Sequence, residues 1–446
     1  MDAAEAASIR KLIHQLVTVD KPNFGLSPST SGVVLGPIPS PELTGSPLKE
    51  LVRIGPRALP FLLEALEDST PTRLIIEKLG KYTLMPQFDN EMGGNPANAQ
   101  EQKILSEKPR RGMDQFMEKD PPTCYQVTIG DICFVIIGQI VGRYYEAVHY
   151  QASGTIVINS PTHDPSIVKA VRAIWSSDNP TQHIFDSLLL DYSMSGTNAT
   201  MLLLYYFPRQ IAPIIAQRIK SMLVYYSGLN HRESDSEVRF AWLEKQERVN
   251  GVRTKDFIET VRWCREPEIR AALLYLFQKS NDSEILLALL PAIDGARHWP
   301  LIESRFQFLL GQLRPTSSDW NGINGFEMLV PLREVGGDKA RPCYRKYLRS
   351  NSTRRRFAVC TALQGTNGDW DREFLWPMLT DKRFDREHAS QYPPNSRERR
   401  RPRRVCDYAA GVIAKHRKDV VFNRMGTTAE LDHQIQQMQR QLTKRK

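Results

Sequence analysis

The residue types that acid–base or metal chemistry requires gather most closely at Asp131, His149, His163 and Asp164. A carboxylate beside an imidazole can hold or pass a proton, and the same pair can ligate a divalent metal. If residues 144–165, YYEAVHYQASGTIVINSPTHDP, fold back on the preceding GDICFVIIGQIVGR, then Asp131, His149 and His163 complete a pocket and the chain is an enzyme. The structural alternative puts His149 at the end of a helix and His163-Asp164 in a turn flanked by prolines. The sequence favours that alternative. It contains no G-x-S-x-G, H-E-x-x-H, G-x-G-x-x-G or G-K-[ST] pattern. Gly80-Lys81-Tyr82 lacks both the hydroxyl and the upstream glycine of a phosphate loop. The six cysteines, Cys124, Cys133, Cys264, Cys343, Cys360 and Cys406, form no C-x-x-C pair, so they are expected to be reduced, packed thiols in a cytoplasmic protein. No catalytic residue, metal ligand or cofactor is therefore expected.

Charge points to binding. From Arg341 to Lys446 there are 25 Lys and Arg against 11 Asp and Glu, whereas residues 1–340 are slightly acidic, so all of the net +10 lies in the last quarter. Two clusters concentrate it: Arg354, Arg355 and Arg356, and SRERRRPRR with Arg397, Arg399, Arg400, Arg401, Arg403 and Arg404. Tyr344, Tyr347, Trp370, Trp376, Tyr392 and Tyr408 are interleaved with them. Guanidinium forks suit an acidic protein surface, and arginines with aromatic rings suit phosphates and bases. A protein partner, acidic at its docking face, is the first expectation and nucleic acid the second. A charge run in a Pro-containing loop can also be simply solvated.

These groups need elements to position them. An apolar content of 41% with 25% charged residues is that of a globular chain. The longest apolar run, Ile132 to Gly142, is well short of the roughly 18 residues of a membrane span. The opening MDAAEAASIRKLIHQLV carries acidic residues and lacks a long apolar stretch followed by small residues, so no signal peptide is expected. Ile9, Leu12, Ile13 and Leu16 predict a helix within residues 3–18. In SPLKELVRIGPRALPFLLEALEDSTPTR (46–73), Ser46 can cap a helix starting at Pro47 and ending near Gly55, and a second helix starting at Pro56 aligns Leu59, Leu62, Leu63 and Leu66.

The pattern L-x-x-I-G-P-x-A-L-P-x-L-L-x-x-L at 51–66 resembles HEAT repeats and the phycobilisome-lyase-like HEAT repeats. Weaker copies occur at 201–223, 266–293, 332–348, 352–383 and 403–416. The resemblance implies an all-α fold, an α-solenoid of degenerate HEAT-like helix pairs with a small non-repeat insertion, acting as a non-catalytic protein-binding scaffold. Relatives of such repeats attach bilins or excise alkylated bases, but their functional residues have no counterparts here. Five segments are expected. They are an N-terminal helix and linker (1–45), a helix pair (46–85), a polar insertion (86–122), central repeats with an extended loop or hairpin near 144–165 (123–340), and basic repeats with a terminal helix (341–446). That last helix starts with a Thr427–Glu430 capping box and carries Leu431, Ile435, Met438 and Leu442 on one seam, for an end cap or a dimer.

Overall fold

The structure is a computed structural model. It describes residues 2–22, 26, 46–77, 84–85, 98–107, 124–150, 156–194, 197–227, 248–249, 252–312, 325–349, 352–366, 369–384, 404–417 and 419–443. Most of these are helical, and the chain divides into two units, Met1–Arg218 with Arg232–Arg270, and Ile219–His231 with Ala271–Lys446. Among the described residues no helix is long and apolar enough to cross a membrane.

The first unit opens with α1 (Ala3–Gln15), capped by Asp2 and burying Ile9 and Ile13. The expected pair follows as α2 (Pro47–Ile54) and α3 (Leu59–Glu64). Helix α2 begins at Pro47, but the Ser46 side chain makes no capping bond, so proline geometry starts it without help from the hydroxyl. Gly55 ends α2 at φ 67°, a left-handed conformation natural only to glycine. The Tyr206 ring lies where a Gly55 Cβ would be, and its hydroxyl donates to Val52 O at 2.6 Å. Gly55→Ala should therefore cost about 1–3 kcal/mol, from the strained φ and the displaced ring together, read as a shift in denaturant midpoint.

Residues 71–77 depart from the all-helical expectation. They form β1 (Pro71–Glu77), with Thr72, Leu74 and Ile76 buried at every second position. After β2 (Leu84–Met85) and α4 (Ala99–Ser106) comes β3 (Cys124–Thr128), which pairs antiparallel with β1. Helix α5 (Ile129–Val141) is buried on nearly every side, as its apolar sequence predicts. Gly142, at φ 72°, turns the chain out of α5. The 144–165 stretch is the predicted hairpin: β4 (Val148–Tyr150) lies antiparallel to β5 (Ile156–Ile158), and β2 adds in parallel. His149 thus sits in a strand and not at a helix end.

Along the chain follow α6 (Pro165–Trp175), α7 (Pro180–Met194), α8 (Thr197–Tyr206), α9 (Pro208–Ser227), whose residues from Ile219 on belong to the second unit, and α10 (Thr254–Val261). Pro208 opens α9, while Pro213 falls inside it. Helix α10 packs on α8, burying Phe257, Ile258 and Val261. The Arg218 guanidinium lies 4.4 Å from the Phe257 ring centre and 4.9 Å from that of Tyr192.

In the second unit, α11 (Pro267–Lys279) and α12 (Ser283–Leu289) form the helix–turn–helix expected at 266–293, with Asp282 capping α12. Then come α13 (Gly295–Gln312), α14 (Gly325–Gly336), α15 (Arg341–Leu348), α16 (Thr353–Ala362), α17 (Val405–His416) and α18 (Thr428–Thr443). The second helix expected within 352–383 is instead a π turn, Asp371–Leu375, running into a 3₁₀ turn with Pro377 near its start. Tyr344 of α15 is fully buried, edge-on to Trp370, and donates to Leu329 O at 2.8 Å. The Thr427–Glu430 capping box is formed, and Ile435, Met438 and Leu442 are buried on an α18 that packs against α17 of the same chain.

Candidate functional site

Asp131 is the third residue of α5, and its place follows from the helix start. The Thr128 N–H donates to Asp131 Oδ2 at 2.8 Å, and the Asp131 N–H donates back to Thr128 Oγ1 at 3.3 Å, a reciprocal capping box. Two hydroxyls reach the same carboxylate. Tyr125 of β3 donates to Oδ2 at 2.8 Å and Ser160 donates to Oδ1 at 2.5 Å. Beyond Ser160 stands His163, whose Nδ1 lies 3.0 Å from Ser160 Oγ, 3.1 Å from Thr162 Oγ1 and 3.5 Å from the Tyr125 hydroxyl. The turn that carries His163 is the proline-flanked one predicted: His163 N and Asp164 N both donate to Ser160 O, and Asp164 caps α6.

The structure therefore joins Asp131 to His163 through Ser160. His149 lies opposite Val157 on β4. Asp131 and Ser160 are buried, whereas His163 is exposed. Burial pushes the Asp131 carboxyl up, and its hydrogen-bond donors, Ser160 first, pull it back. With Asp131 ionised, the Ser160 proton is committed to the carboxylate, and its oxygen can only accept, from Thr162 Oγ1–H or from His163 Nδ1–H. A nucleophilic serine needs the reverse polarity, donating to the imidazole. With the carboxylate ionised, this polarity does not activate the hydroxyl.

A carboxyl raised in the folded state favours folding below its ordinary range and loses that contribution as pH rises towards its folded value. Asp131→Asn should therefore hold stability at pH 7 within about 1 kcal/mol and flatten this pH dependence. Asp131→Ala, which strands the Thr128, Tyr125 and Ser160 donors, should cost about 1–3 kcal/mol for each donor left dry. Melting curves between pH 4 and 8 check both.

Four of the nine candidate arginines lie within the described residues, and three of them are turned inward. Arg355 lies over the Tyr347 ring and reaches Tyr347 O. Arg356 is 3.2 Å from Asp381. Arg404 is buried between Asp407 and Asp432, each at 2.7 Å. Arg354 is exposed in the first turn of α16, and Lys346 and Arg349 are exposed at the end of α15. Arg397, Arg399, Arg400, Arg401 and Arg403 fall outside the described residues. The aromatic residues are spent likewise: Arg341 lies over Trp370, Arg372 over Trp376 and Arg424 over Tyr408. Rings held this way are poor platforms for bases.

One dyad had no sequence signal because its members are 45 residues apart. His416 Nδ1 lies 3.1 Å from both oxygens of Asp371, and its Nε2 accepts from the Gly365 N–H at 2.9 Å. Both ring nitrogens are thus engaged, which makes His416 a pin between α17 and the 363–366 turn. Cys133, Cys264, Cys343, Cys360 and Cys406 are buried, and Cys124 is exposed. Burial pushes the Cys343, Cys360 and Cys406 thiols up to about 12, far from thiolate reactivity. Among the described residues no three His, Cys, Asp or Glu side chains converge as metal ligands would. Comparison with protein-family models, curated proteins and solved structures gives no match.

Proposed function

We propose that the chain is a non-catalytic, protein-binding scaffold built from HEAT-like helix pairs, with an acidic partner docking on the basic turn between α15 and α16. The observation that carries this reading is that Lys346, Arg349 and Arg354, at the end of α15 and the start of α16, are all exposed while the neighbouring arginines are paired inside the chain. Exposed cations on a rigid helical frame raise the encounter rate with an acidic surface and fix its register. The polarity of the Asp131–Ser160–His163 chain supports the non-catalytic part, since it withholds the serine proton from the imidazole.

The test compares the wild-type chain with Lys346→Glu, Arg349→Glu and Arg354→Glu combined, in capture from host lysate with and without nuclease treatment and at two salt concentrations. An acidic protein retained after nuclease by the wild type and lost from the variant supports the reading. Nucleic acid captured by both chains and released by salt would replace it with nucleic-acid binding. A partner captured equally by both chains would remove the basic turn from the account.

A further inference from the structure

Helix α4 buries one residue, and that residue is charged. Glu101 is 1% exposed, whereas Ile104 and Leu105 are only half-buried. A helix of two turns is not stable alone in water. Its docking depends on what Glu101 meets.

Glu101 meets a guanidinium held in a prepared pocket. Arg143 follows the left-handed Gly142 at the exit of α5, and its own N–H donates back to Gly138 O at 2.9 Å. Its Nε donates to Glu101 Oε1 at 2.9 Å, and its Nη2 to Oε2 at 3.0 Å, the forked geometry by which arginine recognises a carboxylate. The remaining donors are fixed by the unit itself: Nη1 to Asp191 Oδ2 at 2.5 Å and to Val141 O at 3.1 Å, Nη2 to Ser187 Oγ at 2.8 Å. The guanidinium carbon lies 5.4 Å from the Trp175 ring centre, and Trp175 is anchored by donating to the Tyr145 hydroxyl at 3.0 Å.

Two carboxylates thus share one guanidinium. Among the described residues, Asp191 Oδ1 is buried without a hydrogen-bond partner. Removing Glu101 frees the Arg143 Nε and most of the Nη2 donors, while Nη1 stays on Asp191 Oδ2 and Val141 O and Nη2 on Ser187 Oγ. The cation would not be stranded. Burial pushes the Asp191 carboxyl up, and the Glu101 charge adds to that, so departure of Glu101 also relieves Asp191. A permanent strut would have no need of a second carboxylate.

We propose that the Arg143 pocket is a carboxylate-binding site that Glu101 occupies in cis, and that α4 is a displaceable plug whose place an acidic helical segment of a partner protein can take. This is independent of the basic turn, which lies in the other unit.

The probe is a fluorescein-labelled peptide of the α4 sequence, NAQEQKILSE, added to the full-length chain carrying Glu101→Ala. Anisotropy should show the variant binding this peptide at least ten-fold tighter than the wild-type chain does, and ten-fold tighter than it binds the peptide with Gln at the Glu101 position. Equal binding of the Glu and Gln peptides, or no binding to the folded variant, overturns the proposal. Hydrogen exchange on the unmodified chain is the second measurement, needed should the variant not fold. Amides 102–106 should exchange at least 100-fold faster than those of α5. Equal protection would mean that α4 opens only with the whole unit, and would overturn the proposal as well.

Discussion

Arg143→Ala is expected to lower the stability of the first unit by about 3–5 kcal/mol, because it leaves two buried carboxylates facing each other with no cation between them. Glu101 and Asp191 are both held by Arg143, whose side chain is 3% exposed. The alternative partners within reach are few: Ser187 Oγ can offer one proton in place of the several that the guanidinium supplies. Arg143→Lys should fall between the two, since an ammonium keeps the charge but cannot fork to one carboxylate while reaching the other. The pH dependence has a definite sign. Burial and the Glu101 charge already push the Asp191 carboxyl up, and losing Arg143 removes the cation that opposes them, so this carboxyl then favours the folded state most when protonated. The deficit of the alanine variant should therefore shrink as pH falls from 7 to 5, and denaturant titrations at the two values test it. A deficit independent of pH would show lost packing, not stranded charge, to be the cause.

The second large effect is expected at Tyr344. Tyr344→Ala removes a fully buried ring from between Trp370 and Phe374 and should cost about 3–5 kcal/mol. Tyr344→Phe keeps the ring and loses only the bond to Leu329 O, and should cost about 1 kcal/mol. Were Tyr344 an exposed stacking platform for bases, both changes would leave the melting temperature alone and alter nucleic-acid affinity instead. Thermal unfolding with and without an oligonucleotide separates the two cases.

Local features of the fold were legible in the sequence. The run from Ile129 to Val141 is apolar on nearly every side, which suits a helix covered almost all round, and α5 is such a helix. Pro47 and Gly55 mark the ends of α2 correctly, and Thr427 with Glu430 marks the start of α18. What was hidden depends on contacts between distant residues. The alternation of Thr72, Leu74 and Ile76 is present, but it is three residues long, abuts a leucine-rich helix pair, and finds its partner strand only at Cys124–Thr128. Asp131 and His163 were legible as candidates. The two hydroxyls that connect them, Ser160 and Tyr125, were not, because neither titrates near neutrality nor stands out by spacing. Charge counting failed for a related reason. Arg356 and Arg404 add to the basic total, but Asp381, Asp407 and Asp432 take them up inside the chain.

The packing of α10 on α8 bears on how the molecule is made. Phe257, Ile258 and Val261 cover a helix that left the ribosome some fifty residues earlier, and Arg218 closes on Phe257 only when that residue arrives. During synthesis the side of α8 that α10 packs on emerges well before α10 does. A nascent chain stalled or truncated between Ser227 and Thr254 would display this apolar face, which chaperones and proteases bind. The first unit thus has a late checkpoint in translation, and fragments ending before Val261 should be recovered with chaperones attached or not at all.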